Sequence, residues 1–182
     1  MFVIRRLALL LAVLLCLEAI VFAQPSNQMA ERALGPQWKL VSRASGLIFA
    51  GTMLSVDAQA PTIDAPLPVV ELKFRVEQAI AGTKIGEIVT IREWAGAWDT
   101  HRHMHPGQHF LLFFYPPSTL GLTSLVGGSL GQIELDATGH VIASPPSSQN
   151  PGPPRSAPTH STSASPIHLR QLQRAIRGAR EE

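Results

Sequence analysis

The sequence predicts a small all-β domain, a sandwich or barrel of five or six short strands, set between an N-terminal export signal and a short C-terminal helix. Three observations predict it. Between residues 39 and 143 apolar side chains recur with a period of two, Gly and Pro turns separate the runs, and no segment there has a convincing helical period. The length, 182 residues, accommodates one domain, and 45% hydrophobic residues exclude wholesale disorder. Fifteen prolines and 14 glycines argue against a coiled coil.

The first element is a leader. Arg5 and Arg6 precede an apolar run of eleven residues, Leu7 to Leu17. Val21-Phe22-Ala23 then supplies the small-residue pattern of a signal-peptidase site, which predicts a Sec-type signal peptide over 1–23 and a mature start at Gln24. A membrane helix is the competing reading, but it needs ~20 apolar residues, and Glu18 interrupts this run. A lipoprotein signal is disfavoured because Leu15 precedes Cys16, and a twin-arginine signal because neither Ser nor Thr precedes Arg5. The expected location is periplasmic or secreted. Processing leaves 13 basic and 12 acidic residues and no cysteine, so disulfides, thiol catalysis and thiolate metal sites are all excluded. Nor does a global basic field remain to favour nucleic acid.

Residues 24–38, with Trp38 near their end, form a lead segment read as a short helix under the first strand. Leu47 to Val56 follows as a strand with Ile48, Ala50, Thr52, Leu54 and Val56 on one face. In the next, Val70, Leu72, Phe74 and Val76 alternate with Glu71, Lys73, Arg75 and Glu77. Glu87 to Trp94 is a third strand, with Val89 and Ile91 facing one way. Phe110 to Tyr115 is apolar throughout, as in a strand covered on both faces. Ile133 and Leu135 open a fifth, and Asp136-Ala137-Thr138-Gly139 reads as a hairpin turn into Val141 and Ile142.

Composition then changes. Residues 144–166 hold seven Pro and seven Ser, too little apolar surface to offset ordering, which predicts a disordered linker. Ser165-Pro166 reads as an N-cap and first helical residue. Leu169, Leu172, Ile176 and Ala179 make one apolar stripe of a basic helix within 167–182, with Gly178 expected to end it. Residues 24–143 carry 8 basic and 10 acidic groups, whereas 144–182 carry five arginines against Glu181 and Glu182. That tail either docks its stripe on the domain or touches an anionic membrane or wall polymer.

Several segments together carry a resemblance. They are Leu47 to Val56, the strand ending Phe74-Arg75-Val76-Glu77, the run Gly107 to Ser118, and Gly121 to Gly128. In this order they resemble small exported bacterial proteins similar to the OB-fold domain of tissue inhibitors of metalloproteinases and netrin modules. The resemblance implies an OB-like (TIMP/netrin-like) β-barrel used as a binding scaffold. It does not carry protease inhibition over, because the family's zinc-chelating N-terminal cysteine has no counterpart at Gln24.

The conspicuous polar stretch is His101-Arg102-His103-Met104-His105-Pro106-Gly107-Gln108-His109. Extended, it aims His101, His103 and His105 to one side at intervals of about 6.6–7 Å. With His109 folded back, and Asp99 or Glu93 as an oxygen donor, the set is a candidate for zinc, copper or nickel. The opposing reading is an ordinary polar loop, since imidazoles at that spacing reach one ion only if the strand bends; a pH response is a further option. Trp94, Trp98 and Tyr115 flank the loop and offer stacking faces for a sugar or a protein partner, or simply close the barrel's end. Gly121 to Gly128 lacks a phosphate-loop ending and reads as a wide turn, Ser124 has no nucleophile-elbow setting, and Glu93 with Asp99 has little room for a glycosidase cleft.

The function expected is a monomeric, non-catalytic binding module without a cofactor. Its partner is an extracytoplasmic protein or wall glycan met at the loop Trp94 to His109; a metal-handling protein using His101, His103, His105 and His109 is the rival.

Overall fold

In a computed structural model, residues 24–63, 66–98, 104–142 and 167–182 are described. The predicted leader, the linker and the central histidines His101 and His103 therefore lie outside the described residues. Three α-helices and five strands follow in chain order: α1 (Gln24–Leu34), α2 (Trp38–Ala44), β1 (Leu47–Gln59), β2 (Val69–Ala81), β3 (Ile88–Trp94), β4 (His109–Phe114), β5 (Gln132–Leu135) and α3 (Leu169–Glu181). None of these helices is long and apolar enough to cross a membrane.

The strands form one antiparallel sheet in the order β3-β2-β1-β4-β5. Three strands joined consecutively, with the fourth returning beside the first, make a Greek key. The sheet is buried on both sides. On one, the helices cover Ile48 and Ala50 of β1 and Leu111 and Phe113 of β4 with Trp38, Val41, Leu172 and Ile176. On the other, the sheet curls around Phe49, Met53, Leu72, Phe74, Phe110, Leu112 and Phe114, with Met104 and Leu125 contributed by loops. Phe49 meets Phe74 edge-on at 5.6 Å between ring centres, a favourable aromatic geometry. β4 is thus covered on both faces, and Val70, Leu72, Phe74 and Val76 of β2 share the curled face, as their alternation predicts.

β1 departs from its predicted alternation. Ile48 and Ala50 face the helices, but Val56 packs with the opposite cluster. Met53 pairs with Phe74 and Ser55 with Lys73, so Leu54 is an extra residue, and one bulged residue transfers everything after it to the other face.

The sheet is not closed into a barrel: β3 and β5 are its two edges. After β4, Pro116 and Pro117 have no N–H to offer a neighbouring strand. The chain instead turns through 118–125, where Phe114 bridges Leu125 and the Thr123 N–H donates to the Arg92 carbonyl at 2.9 Å. A sixth strand is also absent from the described residues, since Val141 makes only an isolated bridge to Leu135. The hairpin turn itself is present. Its Asp136 carboxylate accepts from the Thr138 N–H (2.8 Å), the Thr138 hydroxyl (2.7 Å) and the His140 N–H (2.8 Å).

Helices account for the remaining differences. α2 occupies the first residues of the stretch read as strands, and Ser42 and Ser45 hydroxyls donate back to the carbonyls of Trp38 and Val41. α3 begins at Leu169, because the preceding residues stay extended: Val141 N–H donates to the Ile167 carbonyl at 3.2 Å and His168 bridges His140. Gly178 lies within α3, which continues to Glu181. The stripe Leu169, Leu172, Ile176 and Ala179 is buried against the sheet and its neighbouring helices.

Candidate binding surface

The open side of the sheet is a cleft of about 310 Å³. One wall is β3 from Ile88 to Arg92; the other is built by Gly46 and Leu47 with Tyr115, Pro117, Gly121 and Thr123. The β3 wall is a strand edge. Glu87 gives its carbonyl to Val76 of β2 and Arg92 gives its carbonyl to Thr123, so odd positions point into the sheet and even ones out of it. The N–H and C=O groups of Ile88 and Thr90 therefore face the cleft. Such an edge is a hydrogen-bonding template for another extended chain.

Apolar side chains surround it. Ile88 is 58% exposed and Tyr115 42% exposed, with Leu47, Val89 and Pro117 also lining it. Charges of opposite sign stand at its ends. The Thr83 hydroxyl and the Lys84 N–H both donate to Glu87 and hold its carboxyl below the usual carboxylate range. Arg92 lines the other end.

The aromatic residues singled out in the sequence differ in their surroundings. Tyr115 lines the cleft. Trp94 is 49% exposed and sits two residues beyond Arg92 on the same face of β3, its indole folded over Gly96. Trp98 is partly buried against the curled-face cluster. Glu93 is 1% exposed, on the inner face with Ile91.

Of the four candidate histidines, His105 and His109 are described. His105 is exposed, and its backbone N–H donates to Gln108 Oε1 at 2.6 Å. His109 begins β4 on the helix-covered face, beyond the helices' reach. Its Nδ1 is 3.3 Å from Glu77 Oε2 and 3.3 Å from Thr52 Oγ1, and the Thr52 hydroxyl also donates to Glu77. Glu77 reaches this pair because it is the extra residue of a second bulge, lying between the Gln78–Ala50 and Val76–Gly51 pairs. Among the described residues no group of three His, Cys, Asp or Glu is arranged to hold a metal ion. His101, His103 and Asp99 are outside the described residues.

Sequence reasoning did not single out the β3 edge or Ile88. Its only signal is the pair Pro116-Pro117 after β4, which offers no N–H to a neighbouring strand. No family model, no curated protein and no solved structure matches this chain.

Proposed function

We propose that this protein is an exported, non-catalytic binding module that takes an extended polypeptide segment of its partner along β3. The observation that carries the reading is the strand edge itself: outward amide groups at Ile88 and Thr90, facing a cleft rimmed by Ile88 and Tyr115. Adding a strand satisfies those groups irrespective of the partner's sequence. Apolar contacts at alternate residues of the incoming chain then give selectivity. Trp94 extends the same contact surface beyond Arg92. The Greek-key order supports reading the sheet as an OB-like barrel held open, with the partner strand lying in the cleft between β3 and the segment from Tyr115 to Thr123. The leader motif of residues 5–23 supports action outside the cytoplasm.

A phage-displayed library of extended peptides tests this. Enriched peptides should alternate apolar with polar residues, shift the amide resonances of Ile88 to Arg92, and slow hydrogen exchange at Thr90. Thr90→Pro removes one outward N–H and should abolish that binding while leaving the β2–β3 ladder intact. Peptides that bind Thr90→Pro equally well, or that map to another surface, refute the edge as the site.

A further inference from the structure

Charge in this fold is sorted by layer. The helical layer, residues 24–44 and 167–182, carries seven basic and three acidic side chains. The described part of the sheet layer carries four basic residues, Lys73, Arg75, Lys84 and Arg92, against seven acidic ones. Each half has an excess of two basic groups, and chain order places them at opposite ends. Only the packing of α1 and α2 against α3 joins them.

Within that layer some basic groups are committed. Lys39 and Arg43 pair with Glu182, and Arg180 donates to backbone carbonyls. Of the other four, Arg32 belongs to α1 and the remaining three stand in a row on α3. Arg170, Arg174 and Arg177 follow one another at helical spacing on the side of α3 opposite the buried Leu172, Ala175, Ile176 and Ala179. All three are exposed. Neither Arg170 nor Arg174 has an ion pair or hydrogen bond among the described residues, and Arg177 spends one nitrogen on the Ala79 carbonyl at 3.1 Å. Like charges one turn apart repel by a few tenths of a kcal/mol. The row ends one turn later at Glu181.

We infer that this arginine row and the basic layer behind it dock the protein on an anionic phospholipid surface, with α3 lying along the headgroups and the acidic sheet layer turned away. The observations favour a planar array of phosphates over a small anion, because the arginines form a straight ridge. Guanidinium groups bind phosphate oxygens in a bidentate manner. A planar anionic surface also responds to the whole layer's charge and so sets the protein's orientation. The mode differs from that of an inserting amphipathic helix, since the apolar stripe of α3 is already buried in the protein. Contact is at the headgroups and reversible by salt. This docking is independent of the β3 edge, which belongs to the sheet layer.

The test is co-sedimentation of the full chain with vesicles of phosphatidylcholine alone or mixed with an equal part of phosphatidylglycerol. Binding to neutral vesicles subtracts any contribution of the apolar residues 7–17. The expected result is binding that requires phosphatidylglycerol and falls steeply as salt is raised toward ~0.5 M, where screening shortens to a few ångströms. Arg170→Gln/Arg174→Gln/Arg177→Gln should weaken it by about a hundredfold, taking ~1 kcal/mol per arginine. Arg170→Gln/Arg174→Gln, which spares the Ala79 contact, should weaken it by about thirtyfold on the same basis. Circular dichroism and melting confirm that both variants keep the fold. Lys73→Gln/Arg75→Gln removes charge from the sheet layer and should leave binding unchanged. Equal losses in that control, undiminished binding by the triple variant, or binding to soluble polyphosphate without binding to vesicles would each overturn the inference.

Discussion

Arg43 and Arg180 cap each other's helices. Arg180 Nη1, near the end of α3, donates to the carbonyls of Ser42 at 2.6 Å and Ser45 at 2.7 Å, the last acceptors of α2. Arg43, in the last turn of α2, donates through Nε to the Ala179 carbonyl of α3 at 2.8 Å. Each helix end has carbonyls without an intrahelical partner and a partial negative charge, and each receives a guanidinium from the other. The C-terminal helix is therefore fastened at its far end by an exchange of hydrogen bonds as well as by its buried stripe.

Arg180→Gln should destabilise the protein by about 2 kcal/mol, since hydrogen bonds to charged donors contribute ~1.5–3 kcal/mol and this site is partly exposed. Urea unfolding measures the loss. Hydrogen exchange should quicken in the last turns of α2 and α3 before it does in β1 or β4. Exchange that stays uniform would mean the guanidinium bonds contribute nothing to docking.

Gly51 occupies a close approach of two strands. A Cβ at this position would overlap the Arg75 carbonyl oxygen, at the point where the β1–β2 register shifts. Gly51→Ala must push β2 away from β1 and should cost about 1–3 kcal/mol, the usual range for overpacking a rigid site. A variant as stable as the parent by thermal melting would show that the bulge relaxes freely.

The hairpin turn after β5 should respond to acid. The His140 N–H, the Thr138 hydroxyl and the Thr138 N–H all donate to Asp136, and they hold its carboxyl well below the ordinary aspartate range. A carboxylate depressed on folding contributes stability that is complete above its unfolded pKa, near 4, and lost as pH falls through the folded value. The melting temperature should drop as pH is lowered from about 5 to 2, and Asp136→Asn should flatten part of that drop. A gap between parent and variant that is constant with pH would contradict the assignment.

The described residues on either side of 143–166 lie at nearly the same place. Ile142 follows Val141, whose N–H donates to Ile167, and the imidazole rings of His140 and His168 are 4.1 Å apart. Residues 143–166 therefore join two points that already touch. Replacing residues 144–165 by a connection of about four Gly and Ser residues should leave the melting temperature within a few degrees, since short loops suffice between adjacent elements. Loss of α3 docking in that variant, seen as exposure of the Ile176 environment by exchange, would show that the segment does more than connect.

Local periodicity made part of this architecture legible. The alternation Val70, Leu72, Phe74, Val76 reports one buried strand face, and the unbroken Phe110 to Phe114 reports two, because exposure along a strand repeats every second residue. Asp136 to Gly139 is legible as a turn for a similarly local reason, its side chain bonding its own backbone. The stripe Leu169, Leu172, Ile176, Ala179 identifies a helix whatever it packs against. Of the candidate site, Tyr115 and Trp94 were visible in the sequence, while the β3 edge was not.

What only the tertiary structure decided depends on groups far apart in the chain. The bulge at Leu54 exists because β1 must pair with β2 along its whole length while curling around the phenylalanines, and no pattern within β1 records that demand. The start of α3 at Leu169 is set by backbone bonds from the β5 hairpin rather than by Ser165 and Pro166. Whether β3 is an edge depends on where the chain goes after Pro117, and the charge of the helical layer depends on α1, α2 and α3 meeting. Amino-acid sequence alone determined which residues seek burial and with what period; long-range pairing determined which edges and charged faces were left exposed.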